Sequence, residues 1–177
     1  MELALSQRPL ATPCQPGGPP RMSIPALRLD APIEPIGLDR RAAPDDSGHA
    51  PLGAPVGKRK VGWYAAGPKP RSGMGTVLTN GHTYRDGSAI FQEDFAGLVA
   101  VGQQIDLVLD STTCSHRIST VWRNADAVQD YRSWSPASAC TTRMAQRLFL
   151  PTCGGPWLEG ARMFKDIKVV LATPVPS

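Results

Sequence analysis

Apolar positions along this chain fall into short runs, and the runs are of two kinds. Gln104-Ile105-Asp106-Leu107-Val108-Leu109-Asp110 alternates, with Ile105, Leu107 and Leu109 on one face, the period-2 pattern of a strand buried on one side. Ser115 to Ala125 continues as its hairpin partner across Ser111-Thr112-Thr113-Cys114. Three other runs are continuous: Thr76-Val77-Leu78-Thr79, Leu148-Phe149-Leu150, and Ile167 to Ala172. Arg21 to Asp30 reads as a strand interrupted by Pro25, hence edge or bulged, and Ala31 to Leu38 repeats that style with Pro32 and Pro35. Gly62-Trp63-Tyr64 is a short aromatic strand, and Phe91 to Leu98 predicts a short helix ending near Gly102. Asp39 to Arg59 is polar and rich in Pro and Gly and reads as a long surface loop, and Asp126 to Met144 as a loop carrying a helical turn. Seven or eight short strands with few helices predict a mostly β protein, a barrel or a sandwich.

Composition sharpens this picture. Eighteen prolines and seventeen glycines in 177 residues favour many turns over long helices. Residues 1–20, rich in Pro, Gly and Gln, have little to bury and read as a flexible linker, leaving 21–177 as one domain. The net charge of +4 is scattered, and its one tight cluster, Lys58-Arg59-Lys60, has no accompanying nucleic-acid motif, so no nucleic-acid partner is expected. No apolar run reaches the roughly 18 residues of a membrane span. The opening Met1-Glu2-Leu3-Ala4-Leu5 lacks the basic start and apolar core of a signal peptide, so an anchor or export signal is expected to precede this segment or to have been removed.

Candidate chemistry sits at the ends of the continuous runs. One run delivers Cys153 to Gly154-Gly155, so that a strand emptying into a Gly-Gly turn presents a thiol at the rim of a sheet. Another delivers His82 after Gly81. A thiol needs a base or cation to become a thiolate, and a leaving amine needs a proton donor; histidine serves either need. His49, in the polar loop, and His116, within a strand, have no comparable setting. Arg162, nine residues after Cys153, precedes the last run, and its permanent charge suits an oxyanion. Together they suggest thiol acyl transfer from distant segments.

Gly81-His82-Thr83-Tyr84, Leu150-Pro151-Thr152-Cys153 and Arg162 before a terminal apolar strand resemble the His, Thr-Cys and Arg motifs of sortases. Ser23-Ile24-Pro25-Ala26-Leu27, Ala31-Pro32-Ile33 and Val61-Gly62-Trp63-Tyr64 before Gly67-Pro68 extend the resemblance over residues 21 to 173. Cys153-Gly154-Gly155 and the short interval to Arg162 are most similar to class F, the sortases of high-GC Gram-positive bacteria. The resemblance implies an eight-stranded β-barrel with short helices and long loops, tethered at the extracellular face of the cell membrane by an N-terminal segment. It implies cleavage of a Leu-Pro-X-Thr-Gly-like sorting signal between Thr and Gly, with Cys153 as nucleophile, His82 as general acid and base, and Arg162 binding substrate and the oxyanion. Thr152 would line the substrate pocket, and the acyl group would pass from a Cys153 thioester to an amine of a peptidoglycan precursor. Pro151 departs from the motif, which has a variable non-proline residue there.

No cofactor is expected, and Glu93-Asp94 alone is too thin for a metal site. Cys14 lies in the linker and is expected free, while Cys114 and Cys140, in neighbouring loops, are a candidate disulfide pair. Two other readings stand beside the sortase one: a chymotrypsin-like cysteine protease, which leaves Arg162 unexplained, and a non-catalytic β-barrel surface module. An L,D-transpeptidase is rejected because Pro151 stands where its histidine belongs.

Overall fold

The computed structural model describes residues 14–44, 48, 50–70, 72–125 and 146–175. Within them the chain forms β1 (Gln15–Pro16), β2 (Arg21–Ile24), a 3-10 turn at Pro25–Leu27, β3 (Leu29–Ile36), β4 (Val61–Tyr64), β5 (Thr76–Gly81), helix α1 (Phe95–Leu98), β6 (Gln104–Leu109), β7 (Thr112–Ala125), β8 (Arg147–Leu158) and β9 (Met163–Pro174). Neighbours follow the order β7-β6-β2-β3-β4-β5-β8-β9, and β9 returns to β7. Eight strands therefore close the expected barrel, and β1 adds to β7 at residues 112–113. Closure leaves every strand of the ring a partner on each side. The loop expected at 126–144, with Cys140, lies outside the described residues, as does His49. Among the described residues no helix is long and apolar enough to cross a membrane.

The two kinds of apolar run take different places in the barrel. Ile105, Leu107 and Leu109 of β6 point into the interior with Met22, Ile24, Phe91 and Phe95. The continuous runs belong to strands covered on both faces. Val77, Leu148, Leu150, Val170 and Ala172 face the interior, whereas Leu78, Phe149 and Val169 form a second cluster outside, under Leu52, Tyr64, Trp122 and Ile167. Strands β5, β8 and β9 are thus clamped from both sides; β8 carries Thr152 and Cys153, β5 leads into His82, and Arg162 directly precedes β9.

Three local departures from expectation have clear causes. The β6–β7 hairpin turns on Asp110 and Ser111 alone, both left-handed with φ of 49° and 55°, as a two-residue hairpin of type I′ requires. That tight reversal frees Thr112–Cys114 to pair with β6, so the turn is shorter than the sequence suggests. Strand β3 lies inside the ring despite Pro32 and Pro35. Strand β2 pairs only with Leu29–Pro32 and β4 only with Ile33–Ile36, so each half of β3 is locally an edge, where a missing N–H is tolerated. The helix expected from Phe91 shrinks to Phe95–Leu98, because Phe91 bridges Thr83 and its N–H bonds the carbonyl of His82.

The cysteine pairing is corrected. Cys14 bonds Cys114 across a sequence separation of 100, so Cys14 is not free and Cys114 is not available to Cys140. The bond and β1 attach residues ahead of Arg21 to the sheet. A strand pairing of only two residues brings Cys14 to the end of β7, a contact that neither composition nor spacing reveals.

Candidate active site

Strands β5 and β8 are parallel and in constant register, with Leu78 beside Phe149 and Gly81 beside Thr152. The next residue on each strand is His82 on one and Cys153 on the other. Parallel neighbours lie about 4.8 Å apart and project to the same side. Cys153 also stands opposite Ile167 and four residues beyond Phe149, both in the outer cluster, which places its side chain on the outer face. The register thus sets the two residues side by side at the point where the β5 ladder stops.

A chain of hydroxyls holds that register. Thr152 Oγ1 lies 3.1 Å from the carbonyl of Gly81, the peptide that leads into His82. The carbonyl can only accept, so Thr152 donates, and Thr83 must donate its own hydroxyl to Thr152 Oγ1. Both threonines are buried at 4% exposure. Thr152, expected to line a substrate pocket, instead turns to the inner face and grips the His82 peptide. The Phe91 N–H bonds the His82 carbonyl at 3.1 Å, so the segment is fixed on both flanks. Gly81 permits this approach: a Cβ there would strike the Phe91 ring.

The strand bearing Cys153 does not end at the glycines. Strand β8 runs on to Leu158, and Gly154-Gly155 form a β-bulge against β9, between the Gly154–Asp166 and Trp157–Phe164 pairs. Gly155 has φ of 74°, and a Cβ there would collide with the Asp166 carboxylate. The bulge bends the strand one residue beyond the thiol. Cys153 is exposed and is the only free cysteine among the described residues. Flanking strands still desolvate the sulfur enough to push its pKa above the ordinary thiol value. The resting group is therefore a thiol, and it needs a base.

His82 is half-buried, with Nε2 2.6 Å from the carbonyl of Pro55 and its ring 5.4 Å from that of Tyr84. Beyond Tyr84 a cleft of about 580 Å³ opens, lined by Arg85, Glu93, Asp94, Gly155 and Lys168. The Arg85 guanidinium sits 5.4 Å over Trp157 and pairs with Glu159 at 3.0 Å, which ties the loop after His82 to the β8–β9 hairpin. Both ion-pair partners are exposed, so the pair itself contributes under about 1 kcal/mol.

Arg162 is not brought to this pair. It occupies the hairpin tip, exposed, with φ of 51°, just before the terminal Leu158–Met163 pair. Ile167, opposite Cys153, is five residues further along β9, on the order of 16 Å at about 3.3 Å per residue. His116 lies in the core at 0% exposure, far in register from Cys153. Sequence reasoning passed over Thr83, although it directly follows His82, and the Pro55 carbonyl, which carries no side-chain signal.

No family model matches the chain, and no curated protein matches it. Solved structures do. Sortase E1 from Streptomyces coelicolor, with a tripeptide in its active site, superposes with a TM-score of 0.59 at 15% identity, covering 90% of this chain and 88% of that one. The chain has the sortase fold. Sortase C-1 from Actinomyces oris gives a TM-score of 0.59 at 16% identity, over 89% of this chain and 73% of that one. Sortase C1 from Streptococcus suis gives 0.59 at 14% identity, over 91% and 74%. At such identity the likeness to sortases is one of fold, and the chemistry has to be argued from this chain's own residues.

Proposed function

We propose that the protein is a cysteine transpeptidase of the sortase kind, acting on Leu-Pro-X-Thr-Gly-like sorting signals at the outer face of the cell membrane. The observation that carries the reading is the β5–β8 register, which sets His82 beside an exposed Cys153 within a sortase barrel. In this reading His82 takes the proton of the Cys153 thiol at Nδ1, because the Pro55 carbonyl occupies Nε2. The sulfur attacks the carbonyl carbon of the substrate threonine. The C–S bond forms, the C–N bond to glycine breaks, and His82 returns the proton to the departing amine. An acceptor amine of a peptidoglycan precursor then attacks the thioester, a new C–N bond forms, and the thiol is regenerated with the proton the amine gives up. No cofactor enters this scheme.

Arg162, at the hairpin tip, receives no share in the oxyanion in this proposal; its reach suits a residue of the bound peptide outside the scissile bond. Thr152 serves the site through the Gly81 peptide. The Cys14–Cys114 bond agrees with an extracytoplasmic setting, where disulfides persist. A non-catalytic module has no need of an exposed thiol in register with a histidine, and a chymotrypsin-like protease gains no support from the structural likeness.

Cleavage of a peptide library varied across the five motif positions, with an oligoglycine acceptor present, tests the reading. Ligated product is expected for the native chain. Cys153→Ala is expected to abolish it, and His82→Ala to lower the rate by about 10²- to 10⁴-fold, the usual worth of a general acid and base. Undiminished ligation by a folded Cys153→Ala protein would refute it.

A further inference from the structure

The His82 ring is held by a backbone carbonyl rather than by a side chain. Because the Pro55 oxygen can only accept, Nε2 carries a proton, and the hydrogen bond at one ring nitrogen decides what the other can do. Pro55 is buried within residues 53–57, a segment with no ladder of its own. Its position comes from tethers. Asn80 Nδ2, two residues before His82, donates to the Gly53 carbonyl at 2.7 Å. On the other flank Glu34 Oε1 accepts the N–H of Val56 and, at 3.4 Å, that of Gly57. Glu34 Oε2 takes the Lys60 ammonium at 2.9 Å. Glu34 itself stands on β3, locked by the Gly62 pair of β4. Lys60 foremost, with the two backbone N–H groups, keeps its carboxyl below the usual range, so the acceptor stays charged.

We propose that Glu34 is a positioning residue: it fixes residues 53–57 so that the Pro55 carbonyl holds His82 protonated at Nε2, leaving Nδ1 for Cys153. The proposal rests on the reading of His82 as the acid and base of the site. The hydrogen bonds of Glu34 go to Val56, Gly57 and Lys60, and none goes to His82 or Cys153. Its effect passes through one loop and one carbonyl, and it predicts a signature at the imidazole that a merely structural carboxylate would not give.

The test uses the full chain and two substitutions, Glu34→Ala and Glu34→Gln, checked for folding by circular dichroism. Nitrogen-15 NMR reads the His82 Nε2–H proton, assigned by its loss in His82→Ala. The native chain is expected to show this proton exchanging slowly with water. In Glu34→Ala exchange should be at least about tenfold faster, and kcat should fall about tenfold or more with KM within about twofold, as misplacement of a catalytic group costs rate rather than binding. Glu34→Gln keeps one acceptor oxygen for the Val56 N–H and should fall between. Unchanged Nε2–H exchange in folded Glu34→Ala would overturn the proposal, as would a loss confined to KM. Should Glu34→Ala not fold, native-like exchange in Glu34→Gln would overturn it equally. Should the native chain turn over no peptide, the transpeptidase reading fails and the exchange measurement alone still decides the role of Glu34.

Discussion

At the scale of single residues, the proposed site is two side chains and the groups that aim them. Cys153 has its thiol pKa pushed up by desolvation, so in the proposed chemistry it relies on His82 as base rather than ionising by itself. His82 in turn depends on Pro55, a residue whose side chain does nothing in the site. The juxtaposition of Cys153 and His82 was legible because each lies three residues past a continuous run, and constant register on parallel strands keeps those two positions level. Thr152 was legible as important but not in its direction: a period-2 strand turns it inward when Cys153 faces out, and only the register identifies its acceptor as Gly81. Arg162 was attractive by charge and spacing, yet nine residues that form a hairpin carry it away from the thiol, not beside it. Arg162→Ala is therefore expected to keep kcat within about threefold of native in peptide ligation, whereas loss of an oxyanion donor would cost about 10²- to 10³-fold. A loss of the larger size in a folded variant would place the guanidinium in the reacting site.

At the scale of elements, the strands that position the candidate residues are buried on both faces, and that is why they read as continuous runs. Alternation identified β6 with its inward set, because Gln104 and Asp106 on its other face are polar and not buried. Glycine was the misleading signal: Gly154-Gly155 reads as a turn, but opposite β9 it is a bulge, and pairing over the far side extends β8 to Leu158. Proline misled less, because β3 pairs on one side at a time. The N-terminal attachment was illegible, since Cys14 lies among Pro and Gly and its partner is a hundred residues away. Closing so long a loop restricts the unfolded chain, an effect of about 4.7 kcal/mol in the chain-entropy model and about 2–5 kcal/mol in practice. Cys14→Ser together with Cys114→Ser is expected to lower the unfolding free energy by an amount in that range, seen as a lower denaturation midpoint, while leaving peptide ligation in the folded fraction intact. Equal midpoints for the native and double-substituted proteins would mean that the N-terminal attachment contributes nothing to stability.

At the scale of the whole molecule, the barrel buries the imidazole of His116 in its interior. His116 is fully buried, its Nδ1 bonded to the Cys114 carbonyl at 3.2 Å and its Nε2 without a partner. Burial lowers its pKa from the ordinary 6.5 to about 4, because the charged form would lose its water. The folded state therefore binds this proton less readily than the unfolded one. Stability from this group is complete above pH about 6.5 and is lost as pH falls toward 4, by about 3 kcal/mol in all. Denaturant midpoints at pH 7 and pH 4.5 should show that loss in the native chain, and His116→Leu should flatten it. The same slope in both proteins would mean that the acid sensitivity arises elsewhere.

Whether Cys153 carries the acyl group of a peptide cut within a sorting signal is read by mass spectrometry of the protein quenched during turnover of a Leu-Pro-X-Thr-Gly peptide. An adduct of the mass of the peptide up to its threonine is expected on the fragment containing Cys153, discharged by hydroxylamine or oligoglycine and absent from Cys153→Ala. Peptide cleavage with no adduct on that fragment, or with an adduct that survives Cys153→Ala, would contradict that expectation.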